Sequence, residues 1–246
     1  MKKSQIARKI ILIVVIINFL ITSYYYLEQH DNLKIVQKDA ITQIEQLDNI
    51  EQIQISQKKI EKLQENYHNP DIKAVLSIES ISQFSYPVAQ TTNNEYYLNH
   101  NYRKEEDNLG AIYTDYRIDL ETSQKILIYG HSSTKRELPF NQLENYYDEE
   151  YYQNHKYITL ETKSDIYRYE IFSVYVETSD FTYMNINFES QEEWYSHILK
   201  LQNKSLYQTD VKLTQDDDIL IIQTCSNHSK YQKYKSKYLL IVSRRV

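Results

Sequence analysis

Asp218-Ile-Leu-Ile-Ile-Gln-Thr-Cys225 is the stretch on which the reading of this 246-residue chain turns. A short, continuous aliphatic run followed at once by polar sequence, Ser226-Asn-His-Ser-Lys230, reads as a buried strand that stops at a surface. Its last residue, Cys225, is the single cysteine of the chain. A thiol held at the mouth of a strand is well placed to act as a nucleophile. The plainer reading is a buried structural thiol, because free cysteine is among the most buried residue types. The local sequence leaves both readings open.

The N-terminus bears on that choice. Residues 1–9 are basic, with Lys2, Lys3, Arg8 and Lys9, and Ile10 to Leu27 is apolar apart from Asn18, Thr22 and Ser23. As a helix those positions would reach about 27 Å, close to the hydrocarbon thickness of a bilayer. The preceding cations keep the N-terminus in the cytoplasm by the positive-inside rule, and Tyr24-Tyr-Tyr26 suits the outer interface. No small-x-small cleavage signature follows, so residues 10–27 are expected to be an uncleaved signal anchor with the remaining chain outside the membrane. Oxidising compartments favour paired cysteines. A lone thiol there points to intermolecular pairing or to chemistry.

Residues 28–70 read as a helical stalk. Ile35, Ile41, Ile44, Leu47, Ile50, Ile53, Ile60 and Leu63 recur at threes, fours and their multiples, as in one or two amphipathic helices. The repeat is irregular for a coiled coil. Asn69-Pro70 marks a boundary. Beyond it, strands are expected at 74–78, 125–129, 157–162, 166–176, 219–224 and 238–242, all short and rich in β-branched or aromatic residues. One helix is expected over 191–201, capped by Ser190, with Glu192 and Glu193 at its positive end. The fold class that follows is mainly β with helices: a mixed β-barrel over 71–246, preceded by N-terminal helices and a single transmembrane anchor. The net charge of −6 gives no reason to expect nucleic acid as a partner.

A cysteine nucleophile needs an acid/base partner, and histidine is the common one. Of the seven histidines, His131 is best placed, because it ends the apolar strand Ile126-Leu-Ile-Tyr-Gly130 as Cys225 ends another. His228 is the second choice, and His197, on the predicted helix, is expected at the surface. An oxyanion would need backbone N–H groups or a cation. Lys230, Lys233, Lys235, Lys237 and Arg244 follow the thiol, and pattern alone makes most of them a solvated basic face. The His and Asp/Glu residues are not grouped at metal-ligand spacing, and no metal or cofactor is expected.

Tyr129-Gly-His131, continuing to Phe140-Asn-Gln-Leu143 and Tyr146, resembles the histidine segment of sortases, and Ile221-Ile-Gln-Thr-Cys225 is similar to their cysteine strand. Tyr86-Pro-Val-Ala-Gln90, Tyr96-Tyr-Leu98, residues 110–115 and residues 169–175 fit the same family in the same order. The helical insertion before the cysteine strand resembles class B. The resemblance implies a membrane-anchored cysteine transpeptidase with a sortase β-barrel. Cys225 would attack a C-terminal sorting signal on a surface protein or pilin. His131 would serve as acid and then base toward an amine acceptor, either a cell-wall precursor or a pilin lysine. It also puts Gln223 and Thr224 in the substrate groove, and Lys237 where sortases carry an arginine. Lysine keeps the charge but loses the planar fork of donors, so Lys235 or Arg244 reaching in stands as an alternative. A hydrolytic cysteine peptidase and a weakly active scaffold are the competing functions.

Overall fold

Two neighbouring parallel strands set the frame, and both are continuous aliphatic runs because both are covered on each face. They are β4 (Lys125–Tyr129) and β7 (Ile219–Cys225), in register from Lys125 opposite Ile219 to Tyr129 opposite Gln223. In chain order the other elements are α1 (Lys2–Tyr67), β1 (Ile72–Ile78), β2 (Ser85–Ala89), β3 (Tyr113–Thr114), α2 (Glu149–Asn154), β5 (Tyr157–Glu161), β6 (Ile166–Glu177), α3 (Gln191–Asn203) and β8 (Tyr238–Arg245). The strands close into a barrel in the order β1-β2-β3-β4-β7-β8-β6-β5. Only β2/β3 and β4/β7 run parallel.

This computed structural model describes residues 2–246; before residue 46 it describes the side chains of 18–20, 22–26, 38, 42 and 43 only. The apolar residues Ile10 to Ile17 of the expected anchor therefore have side chains outside the described residues. Among the described residues no helix is long and apolar enough to cross a membrane. The chain divides into two compact units, one ending at Glu51 and the other spanning Gln52–Val246. Within the second, the last turns of α1 pack on the barrel. Ile60, Ile72 and Val75 are buried together, each contributing roughly 1.5–3 kcal/mol. Lys59 Nζ lies 2.6 Å from Glu161 Oε2 on β5, which also accepts from Ser56 Oγ.

The expected strands are all present, with ends moved by a few residues. β2 and β3 escape the pattern. Pro87 argues against a strand, but β2 pairs fully only with β1 and meets β3 through one residue pair, Ala89 opposite Tyr113. β6 alternates only partly because its register against β8 shifts between Ile171 and Ser173. α3 begins where predicted, with Ser190 Oγ accepting from the Glu193 N–H at 3.2 Å.

His197 is a correction. It is 8% exposed, not a surface residue, because Trp194, His197, Ile198 and Leu201 fall at i, i+3, i+4 and i+7 and form the buried stripe of α3. Its Nε2 lies 2.8 Å from Nζ of Lys125, itself 3% exposed, which also donates to the Asn185 carbonyl at 2.7 Å. Burial pulls the Lys125 ammonium down to about 7 and the imidazole down to about 3.

Candidate active site

Three adjacent strand ends carry the candidate residues. Extending the β4/β7 register by two residues beyond Tyr129 and Gln223 brings His131 level with Cys225. On the far side of β7, Cys225 pairs with Tyr238, the first residue of β8, and Lys237 immediately precedes it. His131, Cys225 and Lys237 thus stand in a row across β4, β7 and β8, and neighbouring strands lie about 4.8 Å apart. Backbone and side-chain bonds hold the row together. The Gly130 N–H donates to the Gln223 carbonyl at 3.1 Å, Ser132 Oγ donates to the Cys225 carbonyl at 2.5 Å, and the Ser226 N–H donates to the Lys237 carbonyl at 2.9 Å.

The imidazole of His131 is oriented from the loop before β3. Its Nε2 donates to the Leu98 carbonyl at 2.8 Å, since a carbonyl only accepts. Both glycines of the chain serve this arrangement. A Cβ on Gly130 would sit 2.6 Å from the ring of buried Phe140. Gly110 has φ +60°, and its close approach to the Tyr97 and Leu98 carbonyls leaves no room for a side chain. Two residues before His131, Tyr129 donates its hydroxyl to Asp115 Oδ2 at 2.9 Å. Burial opposes ionisation of Asp115, but bonds from Arg117, Asn94 and Tyr129 outweigh it and hold the carboxyl at about 2.

Burial pushes the Cys225 thiol up, the charge of Lys237 pulls it down, and Glu144 adds a smaller push upward. Cys225 is exposed at the surface and lines a pocket of about 230 Å³ with Ser226, Asn227, Gln232, Lys235, Ser236, Lys237 and Tyr238. Two cations therefore flank the thiol on the β8 side, and His131 flanks it on the β4 side. Arg244 does not reach the site. It pairs across the sheet with Ile219, at the other end of β7, about 20 Å away at 3.3 Å per residue. There it bonds Glu170 Oε2 at 3.0 Å.

Gln223 lies on the Cys225 face of β7, since side chains alternate along a strand. It is half-buried, and its Oε1 accepts from the Tyr183 hydroxyl at 2.6 Å. Thr224 points to the other face, is 1% exposed, and among the described residues its hydroxyl has no hydrogen-bond partner. His228 lies beyond the strand end with its ring 4.5 Å from that of Tyr147, and its Nδ1 accepts from the Lys230 N–H at 3.2 Å. Sequence reasoning gave no role to Leu98, Ser132, Glu144, Tyr147 or Tyr183. Glu144 Oε1 accepts the Asn227 N–H at 2.8 Å, and the Tyr147 and Ser226 hydroxyls lie 2.6 Å apart. The contacts of these five residues join segments 33 to 93 residues apart in the chain, and no local pattern signals them. Among the described residues no group of three His, Cys, Asp or Glu side chains could hold a metal ion.

The Sortase domain model matches residues 76–245. The chain belongs to the sortase family of cysteine transpeptidases. Its similarities lie with class B: it is 32% identical to Sortase B of Listeria monocytogenes over 166 residues, 67% of each chain. It is 29% identical to Sortase B of Staphylococcus aureus over 160 residues, 65% of each. Among solved structures, the sortase B of Clostridium perfringens superposes with TM-score 0.67 at 27% identity, covering 76% of this chain and 98% of that one. The substrate complex of S. aureus sortase B gives TM-score 0.66 at 26% identity, with 83% and 97% covered.

Proposed function

We propose that the protein is a class B transpeptidase that cleaves a C-terminal sorting signal and transfers the acyl fragment to an amine, with Cys225 as nucleophile and His131 as acid/base. The observation that carries this reading is the register that sets His131 beside Cys225 at two parallel strand ends. In acylation the sulfur–carbon bond forms and the amide carbon–nitrogen bond breaks. The thiol proton passes by way of His131 to the leaving amine. In transfer the incoming amine forms the new carbon–nitrogen bond and the carbon–sulfur bond breaks, its proton returning through His131 to sulfur. Lys237, whose charge favours the thiolate and which the β7–β8 pairing brings beside Cys225, is the cation we assign to the developing oxyanion. Gln223 forms part of the groove beside the nucleophile. Thr224, buried, supports that strand from behind.

The His131 ring is bonded through Nε2 to the Leu98 carbonyl, and in this reading the His–Cys contact tightens when substrate binds, as catalytic contacts in unliganded sites often do. The donors are surface proteins or pilins bearing a sorting signal, and the acceptor is a cell-wall precursor amine or a pilin lysine. The basic start and the apolar run 10–27 support a single-pass anchor with the N-terminus in the cytoplasm and the barrel outside. Confinement to one membrane with its donor would raise the effective concentration of substrate.

Intact-mass spectrometry of the wild type and of Cys225→Ala, incubated with LPxTG-like and NPxTx-like peptides, tests the reading. A mass adduct on the wild type alone, converted to amide product when amine is added, is the expected result. Conversion to free acid at the same rate with and without amine would make the protein a hydrolase. Absence of any adduct on folded wild type would favour a binding scaffold.

A further inference from the structure

The start of β4 holds a lysine where its pattern calls for an aliphatic residue. The strand continues Ile126-Leu-Ile128, is buried throughout, and Lys125 itself is 3% exposed. Among the described residues no carboxylate lies within ion-pair distance of its Nζ. That atom meets the Asn185 carbonyl at 2.7 Å, His197 Nε2 at 2.8 Å and the ring of Phe188, 5.6 Å from its centroid. A buried amine without an ion partner is a net burden on the fold, and an apolar side chain of similar volume is often as stable or more so. Burial gives no reason for a lysine at this position; its contacts do.

Those contacts join three parts of the chain: β4, α3 through His197, and the segment 178–190 through Asn185. The Asn185 N–H donates to the Thr182 carbonyl at 3.0 Å and closes the 3-10 turn Phe181–Met184. Asp180, just before the turn, lies 2.6 Å from Lys200 Nζ on α3, and Arg117 Nη2 donates to the Met184 carbonyl at 3.4 Å. Two rings of the turn reach the nucleophile end of the sheet. Tyr183 donates to Gln223 Oε1 at 2.6 Å, and Phe181 packs edge-on against Tyr238, the β8 partner of Cys225, with centroids 6.0 Å apart. Lys125 is level with Ile219, six residues before Cys225 and about 20 Å from it.

We propose that Lys125 is a positioning residue for the reaction: by gripping the Asn185 carbonyl it fixes the turn 181–184, and through Tyr183 and Phe181 that turn sets the groove beside Cys225. This rests on the transpeptidase reading above. Lys125 touches neither the thiol nor His131, so its influence passes through the turn. An aliphatic residue at 125 would fill the space but leave the Asn185 carbonyl and His197 Nε2 without their donor, and an unpaired buried acceptor is unfavourable. The turn would then be held by Asp180 and the longer Arg117 bond alone, and Tyr183 would no longer meet Gln223 in one geometry. A groove wall that must be ordered as peptide arrives weakens binding, because the ordering is part of the binding step. The effect therefore falls on KM more than on kcat.

The experiment has two arms and uses the full chain. The first reads the turn without reference to chemistry, as backbone hydrogen exchange of residues 178–190 measured by mass spectrometry. In Lys125→Met this segment should exchange about tenfold faster than in the wild type, as expected for loss of one charge-assisted hydrogen bond, while β6 and β8 exchange as before. Equal exchange of 178–190 in the two proteins overturns the proposal, whether or not any peptide acylates Cys225.

The second arm measures turnover with the LPxTG-like or NPxTx-like peptide and Gly-Gly-Gly as acceptor. Lys125→Met should raise the peptide KM several-fold and leave kcat within about twofold. A lower urea midpoint with KM unchanged would make Lys125 a structural residue only and overturn its positioning role. Tyr183→Phe supplies the coupling test, since residues that act as one unit do not add. Once Tyr183→Phe is present, Lys125→Met should change KM little further; effects that multiply would show that Lys125 does not act through the turn. If Lys125→Met does not fold, Lys125→Gln, which keeps a neutral donor, takes its place in both arms with the same criteria. If neither peptide acylates the wild type, the transpeptidase reading fails by itself, and the exchange arm still decides whether Lys125 holds the turn.

Discussion

The hydroxyl of Tyr183 donates to Oε1 of Gln223 at 2.6 Å, and this bond ties the insertion between β6 and β7 to the strand that ends in Cys225. Tyr183 lies in the 3-10 turn Phe181–Met184, closed by the Asn185 N–H donating to the Thr182 carbonyl. Lys125 in turn holds the Asn185 carbonyl from the start of β4. Tyr183→Phe keeps the buried ring and leaves Gln223 Oε1 without its donor, a loss of about 1 kcal/mol. Calorimetry should show a fall of a few degrees in Tm, and peptide acylation should drop several-fold in kcat/KM. An unchanged kcat/KM would separate the insertion from the reaction.

Lys237 has a measurable effect apart from peptide turnover. A positive charge near the thiol favours the thiolate. Lys237→Met should move the pH profile of iodoacetamide alkylation at Cys225 to higher pH, while Lys237→Arg leaves it near the wild-type position. A profile that stays put in Lys237→Met would show that the ammonium acts elsewhere.

Gly130 is a packing requirement, since an added Cβ would lie 2.6 Å from Phe140, which is fully buried. Gly130→Ala should destabilise by about 1–3 kcal/mol, the usual cost of overpacking, read as a lower urea midpoint. Phe140→Leu in the same chain should recover part of the loss; no recovery would place the strain elsewhere.

Asp115 gives the fold an acid limit. Its carboxyl is held at about 2 against an ordinary value of 3.8, so the unfolded chain binds a proton first as pH falls. The stabilisation is complete above about pH 4 and is lost between about 4 and 2, on the order of 2 kcal/mol. Asp115→Asn should lower stability at pH 7 and flatten that part of the profile. Equal acid sensitivity in the two proteins would assign the limit to other carboxylates.

Much of this molecule was legible in the chain because its determinants are local. Continuous aliphatic runs identified β4 and β7, Ser190 and the acidic first turn identified α3, and a lone cysteine and a histidine each ended such a run. The motif order placed the barrel in its family. What the sequence left open depends on which strands become neighbours. The parallel pairing of β4 with β7 levels His131 with Cys225, and the β7–β8 register brings Lys237 to the thiol while carrying Arg244 to the opposite end. Pro87 concealed β2 because a strand that is paired chiefly along one side tolerates proline. His197 was misplaced although its spacing was in view, because a polar side chain on an apolar stripe is buried only when a partner such as Lys125 meets it. Sequence by itself determined most of the elements, through propensity and periodicity, and named the candidate residues through a lone cysteine and a histidine at strand ends. Their distances, burial and charge environment were decided by tertiary pairing, because hydrogen bonds and Coulomb interactions act between groups brought close by the fold and are indifferent to separation along the chain.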